Sequence, residues 1–523
     1  MAVKARSPRR SLRGAIVLVA VFIASRIVFY AVGLRFDARA LKGQVDYLQL
    51  LDLRQLKHHL IESIWYLHSQ PPLFNFATGL LLHLPPSAVE PAAIAVGMAL
   101  GLVMVLSCYY LCLELHLPQW LALVVGVLVI FDPADVLYQN WYFYSFPTAV
   151  TITFAALCVA RYVRTRSLSW GVGYFASLMA VVLMNSTFQW IWFVAAIAPV
   201  AVVLRYRWRS VLVAAVVPVL VVGALYVKNA IVFGTSTTSS WFGMNLANVT
   251  LAHASPQQIR KLLAEKGTSP IADKLGFQAL SVYTHDYRPH AATGVTVLDQ
   301  RLKSDGLPNL NNVDYIAISS EYTRDDLRYI EDDPTSYAHD VAHATELFFR
   351  PQEQYFFLWP GAQRLSGYVR PYNVLIDWQP HAPNYASIQV PAGKTTIVWP
   401  LGKVTAVSWD QMSLSAVAIY ALVLLVSPFV AWRRRRRSSY AAALAFIWIS
   451  SAYVFVVANV SDLGENMRFR YDLGPLPLVA AAAVVVALVR RGRGKRHTPI
   501  GTVSDDDERP RPAVDAPVES SLV

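Results

Sequence analysis

The stretch YLHSQPPLFN at residues 66–75, running on as FATGLLLHL to residue 84, decides how this chain lies across a membrane. Residues 71–84 are apolar but short, since a bilayer's hydrocarbon core takes about 20 helical residues. If they crossed, every later basic loop up to Arg209 would fall on the outer side. Basic loops stay in the cytoplasm, so the stretch reads as a half-span or a steep interfacial helix. Pro71 and Pro72 suit its start, where a missing N–H costs nothing.

The rest of the chain fits that reading. Its 523 residues are 55% hydrophobic and carry a formal net charge of +12. The positive charge sits in short blocks beside apolar runs: Arg9, Arg10 and Arg13; Arg161, Arg164 and Arg166; Arg205, Arg207 and Arg209; Arg433 to Arg437; and residues 490–496. That is the pattern that sets topology rather than one that binds nucleic acid. Spans are expected near 14–34, 91–113, 118–132, 144–162, 170–185, 187–204, 211–228, 413–432, 440–458 and 474–490. The expected fold is a polytopic α-helical membrane protein with about ten full spans, one half-span and both termini cytoplasmic. The basic, then apolar N-terminal segment reads as the first span, not a cleaved signal.

Two outer pieces follow, 35–70 and 229–412. The second is too long and polar for a connector. SPQQIRKLLAEKG (255–267) has the cap residues of a helix, with Ser255 before Pro256 and Gly267 after the end. DPTSYAHDVAHATELFFR (333–350) starts on Asp333 and Pro334 and is stopped by Pro351. Turns and weak strand signals between them predict a small mixed extracytoplasmic domain. The domains expected are 1–228, 229–412 and 413–496, with an outer loop at 459–473 and a polar, Pro-rich disordered tail at 497–523. Cys108, Cys112 and Cys158 all lie in apolar runs, so the outer loops have no disulfide or cysteine metal site.

Four patches could carry chemistry. In the first outer loop, Asp37, Asp46 and Asp52 precede a helix-compatible stretch from Leu48 to Leu67 that can lie in the interface plane. His68 and Gln70 then either overhang a cavity or cap helix ends. The second patch, DPADVLYQNWYFYSFP (132–147), holds six aromatics with Asp132, Asp135, Gln139 and Asn140. An interfacial aromatic belt explains them; a sugar site is also allowed. The third, ENMRFRYD (465–472), puts two arginines on the outer side, against the charge rule. In an extended segment Arg468 and Arg470 point the same way and suit a phosphate; the alternative is an ion pair with Glu465 or Asp472. The fourth, HDVAH (339–343), has His339 and His343 on one face with Glu346 a turn on. It departs from the zinc-protease pattern and reads as a solvated helix face rather than a metal site.

The patches together resemble the GT-C class of membrane glycosyltransferases, closest to the protein mannosyltransferase and aminoarabinose transferase group. The matching stretches are GLRFD (33–37), LHSQPPLFN (67–75), YQNWYFYSFP (138–147), SSWFGMN (239–245) and ENMRFR (465–470). The resemblance covers the first 230 residues or so and the last outer loop. It implies a polyprenyl-phosphate-linked sugar as donor, transferred with inversion on the extracytoplasmic face to an unknown glycan, lipid or protein acceptor. It implies Asp37 as the catalytic carboxylate, with Asp52 as the alternative, and Arg468 and Arg470 on the donor phosphate. His68, Gln70, Tyr138, Asn140, Trp141 and Glu465 would form the pocket.

Two departures stand out. Many relatives have Asp-Glu where Ala38 follows Asp37, and nothing in 229–412 matches a known acceptor module. Some relatives use a divalent metal, but no oxygen cluster is evident, so the cofactor is unknown. The Arg, Ala and Val bias points to a GC-rich bacterium, hence a plasma-membrane protein using decaprenyl-phosphate mannose or arabinose. The rivals are a lipid or sugar transporter or flippase, which would show repeats and mid-membrane charge, and a non-catalytic GT-C-like scaffold. Three Asn-X-Ser/Thr sites stand at Asn185, Asn248 and Asn459.

Overall fold

A computed structural model describes residues 8–45, 47–284, 286–379, 381–383, 411–435 and 438–495, giving only the backbone of 8–10 and 492–495. Asp46, Arg436, Arg437 and the tail expected at 497–523 lie outside the described residues.

The chain opens with α1 (Pro8–Ala31), and the interfacial stretch forms two short helices, α2 (Leu53–His58) and α3 (Leu60–Trp65). They break at His59, whose φ of −135° and ψ of 44° are not helical. The half-span is α4 (Pro72–Leu82), 11 residues with Pro71 as its cap. It is about 16 Å long, roughly half a hydrocarbon core. Then come α5 (Pro86–Glu114), α6 (Gln119–Phe131), α7 (Pro133–Gln139), α8 (Ser145–Thr165), α9 (Leu168–Met184), α10 (Trp190–Val203) and α11 (Trp208–Phe233). Helix α8 is the hub. Ala149, Ala155, Ala156 and Ala160 are buried along it, and small side chains let helices approach closely. It packs on α5, α9 and, later in the chain, residues 438–461.

The next elements cap one end of the bundle. They are α12 (Phe242–Ala247), α13 (Pro256–Leu263), α14 (Thr296–Asp299), α15 (Asp314–Asp332), α16 (Pro334–Phe349), α17 (Trp359–Arg364) and α18 (Ser366–Leu375). Ser255 and Gln258 close a reciprocal capping box on α13, and Asp333 caps α16 by accepting from Ser336 N. Trp241, Met244, Leu262, Ile271, Tyr315, Ile318 and Tyr322 make a second core within the cap. The far end of α16 leaves it, because Ala344, Leu347 and Phe348 belong to the main core. Among the described residues there is no strand, only isolated bridges Asp37–Trp141 and Leu302–Pro308, so the mixed domain is corrected to a helical one. Its turn-rich segment spends its polar groups locally: Asn309 and Asn312 both donate to the Gln300 carbonyl. Such side-chain bonds compete with a ladder.

The chain closes with α19 (Leu414–Ala421), a π turn (Leu422–Val426), α20 (Ser427–Arg433), α21 (Ser438–Ser461), α22 (Asn466–Tyr471) and α23 (Leu476–Lys495). The π turn precedes Pro428, whose ring cannot continue the usual hydrogen-bond register. Among the described residues α1, α5, α8, α11, the α19–α20 run and α21 are long and apolar enough to cross a membrane. Helices α6 and α7, bent by 53°, add a seventh if taken as one. The expected spans at 170–185 and 187–204 are α9 and α10, of 17 and 14 residues. This is a helical, membrane-embedded protein.

Candidate functional site

At the capped end α21 stops at Ser461, and the chain turns through Asp462–Glu465 into α22. Gly464 has φ of +129°, a conformation that only glycine takes readily. Asn466 locks the turn, donating from Nδ2 to the carbonyls of Ala458 (2.9 Å) and Asp462 (3.1 Å). A cavity of about 350 Å³ opens over it. Its wall mixes polar residues, among them Gln70, Tyr144, Asn245, Asn248, Asp462, Glu465 and Arg468, with apolar ones, among them Trp190, Ile191, Val457 and Val460. Trp190 and Ile191 are exposed on the outside of the bundle.

Arg468 is the buried cation of this wall, 2% exposed. Its Nε donates to Glu465 Oε2 (2.6 Å) and its Nη1 to Tyr144 Oη (3.2 Å) and Ser145 Oγ (3.4 Å). Burial disfavours its charge, but Glu465 outweighs that with help from Tyr144, Tyr355 and Asp472 and holds it above its ordinary value. Glu465 also accepts from Tyr355 Oη at 3.1 Å. Asp462 accepts from Asn248 Nδ2 at 3.2 Å. Burial, and then Glu465, push its carboxyl up to about 7. Gln70 is buried, and its Oε1 has no partner.

The other expected residues do not all come here. Arg470 is corrected: residues 466–471 are helical, so positions two apart point to opposite sides. Its Nη2 donates to the Arg350 carbonyl at 2.9 Å, away from the cavity. His68 is a fastener. Its ring sits 2.8 Å from Ser240 Oγ and 3.0 Å from the Asn311 carbonyl, and full burial pushes it down to about 3. Tyr138 is buried and stacked on Tyr471 at 3.6 Å. Asp52 caps α2 and takes Ser304 N (2.6 Å) and Oγ (2.8 Å), tying the first loop to the cap.

Asp37 lines a different cavity, of about 380 Å³, with Asn140, Trp141, Glu90 and Arg364. Its backbone N–H donates to the Asn140 carbonyl (2.7 Å), and its carboxylate is clasped by Arg39 at 2.9 and 2.7 Å. Between the two cavities stand stacked rings: Trp141 on Phe143 at 4.3 Å, and Phe143 on Tyr144 at 4.2 Å. The structure therefore joins Gln70, Glu465 and Arg468, and leaves Asp37, Asn140 and Trp141 across that wall.

Sequence reasoning passed over Asp462, Asn248 and Asn185. Asp462, two residues before Gly464, carries the signal of a turn beside the arginine motif. The asparagines stood out only as glycosylation sites, yet all three are buried. Asn185 donates to Asp472 Oδ2 (2.7 Å), Asn248 to Asp462, and Asn459 to the Phe455 carbonyl (2.8 Å). In the HDVAH segment His339 is exposed, while His343 is buried 3.1 Å from Glu346. Among the described residues no group of three or more His, Cys, Asp or Glu is placed to hold a metal ion.

Fold and site together define a helical membrane protein with an amphiphilic cavity built on a buried arginine at its capped end. No protein-family model, curated protein or solved structure matches the chain.

Proposed function

We propose that this protein is a GT-C-like transferase that takes a sugar from a polyprenyl-phosphate donor at the capped, extracytoplasmic end of a ten-span bundle in a bacterial plasma membrane, with both termini cytoplasmic. One observation carries the reading: Arg468 sits in a cavity lined by both polar and apolar side chains. A lipid-linked sugar phosphate has the same two characters. Buried guanidinium groups suit phosphate oxygens, and charge placed in advance beside a leaving phosphate speeds its departure. The unpartnered Gln70 Oε1 can accept from a sugar hydroxyl. The apolar lining residues Trp190 and Ile191, exposed on the outside of the bundle, would take the start of the lipid chain. In this proposal the resemblance names Asp37 as the proton acceptor, with Asp52 as the alternative.

The test is binding of decaprenyl-phosphate mannose and arabinose to the full chain in lipid nanodiscs. Wild type should bind one of them saturably. Gln70→Leu should weaken binding about tenfold, since it removes one buried hydrogen bond worth about 1–1.5 kcal/mol. Absence of saturable binding by wild type would discard the proposal.

A further inference from the structure

The geometry assigns the proton-accepting role to Asp462, the carboxylate that shares the Arg468 cavity, and not to Asp37. The inference rests on the sugar-phosphate reading of that cavity and corrects one residue within it. A general base must lie within hydrogen-bond reach of the proton it takes. Asp37 faces the other side of the Trp141–Phe143–Tyr144 stack. Within the cavity Glu465 is occupied by Arg468 and Tyr355. Asp462 is held by the neutral amide of Asn248 and makes no ion pair with a described residue.

Among the described residues, Glu465, just before α22, and Arg468 within it are the charged groups acting on Asp462; Tyr144, just before α8, and Tyr453 of α21 share the cavity, and Tyr337 of α16 donates to the nearby Val460 carbonyl at 2.8 Å. Helix α12 and the residue after it contribute amides, Asn245 and Asn248. Burial, and then Glu465, hold the carboxyl up near 7 against the pull of Asn248 and Arg468, close to the operating pH at which a general base works best.

The step balances. The acceptor oxygen forms a bond to the anomeric carbon, and its proton passes to the Asp462 carboxylate. The anomeric carbon–oxygen bond breaks, and its electron pair leaves on the phosphate oxygen beside Arg468. The products are the glycoside, polyprenyl phosphate and a protonated Asp462, which then releases its proton to water.

The experiment uses the full chain in nanodiscs with whichever of the two decaprenyl-phosphate sugars binds, water serving as acceptor, and follows release of free sugar against pH. Asp462→Asn should bind donor within about threefold of wild type at pH 6, where Asp462 is neutral, and lose roughly a hundredfold or more in rate, the scale of general-base catalysis. Asp37→Asn should lose far less rate than Asp462→Asn. Asn248→Ala removes a hydrogen bond to the charged carboxylate, so the acid limb of the pH–rate profile should move upward. Wild-type turnover by Asp462→Asn, or loss of turnover in Asp37→Asn alone, would overturn the assignment. A wild type that binds neither donor, or binds without turnover, overturns the transferase reading itself and the assignment with it. An Asp462→Asn chain that no longer binds donor makes the residue structural; so does an Asn248→Ala profile that does not move.

Discussion

The Asp37 and Arg468 cavities each hold an arginine–carboxylate pair, yet the two pairs are built for different purposes. Arg39 and Asp37 are neighbours in one loop, with side chains 46% and 20% exposed. Arg468 and Glu465 are 3% and 9% exposed, and Arg468 reaches across to α8. An exposed pair is screened and contributes about 0–1 kcal/mol. A buried pair leaves a costly lone charge when one member is lost. Arg468 is thus both a hub of the fold and the cation of the amphiphilic cavity, whereas Arg39 mainly orders its own loop.

The largest effect should come from breaking the buried pair. Arg468→Ala should destabilise the protein by about 3–5 kcal/mol, since Glu465 is left buried without its cation. Thermal unfolding in nanodiscs, followed by tryptophan fluorescence, would show a marked fall in midpoint. A change no larger than that of Arg39→Ala would mean that water already reaches Glu465.

The second effect reaches the Arg468 cavity from a distance. A Cβ added at Gly243 would lie 1.9 Å from the Ser319 carbonyl oxygen, where α12 presses on α15. Gly243→Ala should cost about 1–3 kcal/mol as the helices separate. Asn245 and Asn248, which α12 and the residue after it present to the cavity, should move with it, and donor affinity should fall. Thermal unfolding and donor binding measure the two parts. Unchanged affinity would uncouple α12 from the cavity.

These helices also show what could be read in advance. Apolar runs located the ten expected segments as helices, of which six or seven, among the described residues, are long and apolar enough to cross a membrane, because a long apolar pattern is visible locally. Ser255 and Asp333 announced their helices, since a cap acts within three residues. Segment 466–471 was different. Its helix depends on Asn466 reaching back to Ala458 and Asp462, so the expected alternation of Arg468 and Arg470 failed. His68 and Asp52 looked like site residues because polar groups near prolines at a membrane surface suit a cavity. Their partners, Asn311 and Ser304, lie more than two hundred residues away, beyond any local pattern.

A smaller effect follows pH. Burial holds Asp472 up to about 7, as it does Asp462, with Arg468 pulling the other way. Both therefore keep their protons in the folded state at pH values where the unfolded chain, titrating near about 4, has released them. The folded state binds more protons, so stability is greatest below that value and declines as pH rises toward 7. The cavity responds in the same direction. Below pH 7 Asp462 is neutral and an anion beside Arg468 meets less repulsion. An added unit charge at this range is worth about 1–2 kcal/mol, so donor affinity should fall about tenfold between roughly pH 6 and 8. Titration calorimetry at several pH values would detect the accompanying proton uptake, and Asp462→Asn should flatten the profile. A slope that survives this substitution would move the titrating group elsewhere.

The smallest effect belongs to Asp37 and gives the sharpest contrast. Asp37→Asn keeps the backbone bond to the Asn140 carbonyl, which needs only the amide N–H. It weakens only the clasp of Arg39, whose side chain is nearly half exposed. Stability should therefore drop by no more than about 1 kcal/mol, and raising the salt concentration should erase most of that difference, because an exposed pair is screened within about 10 Å. The Arg468 pair, sealed under Tyr355 and Tyr144, should be almost insensitive to the same salt. Thermal midpoints of Asp37→Asn and Arg468→Ala beside wild type, at low and high salt, separate the two cases. A large, salt-resistant loss in Asp37→Asn would mean that the carboxylate is held more tightly than by its arginine neighbour alone, and would restore Asp37 as a rival for the chemistry.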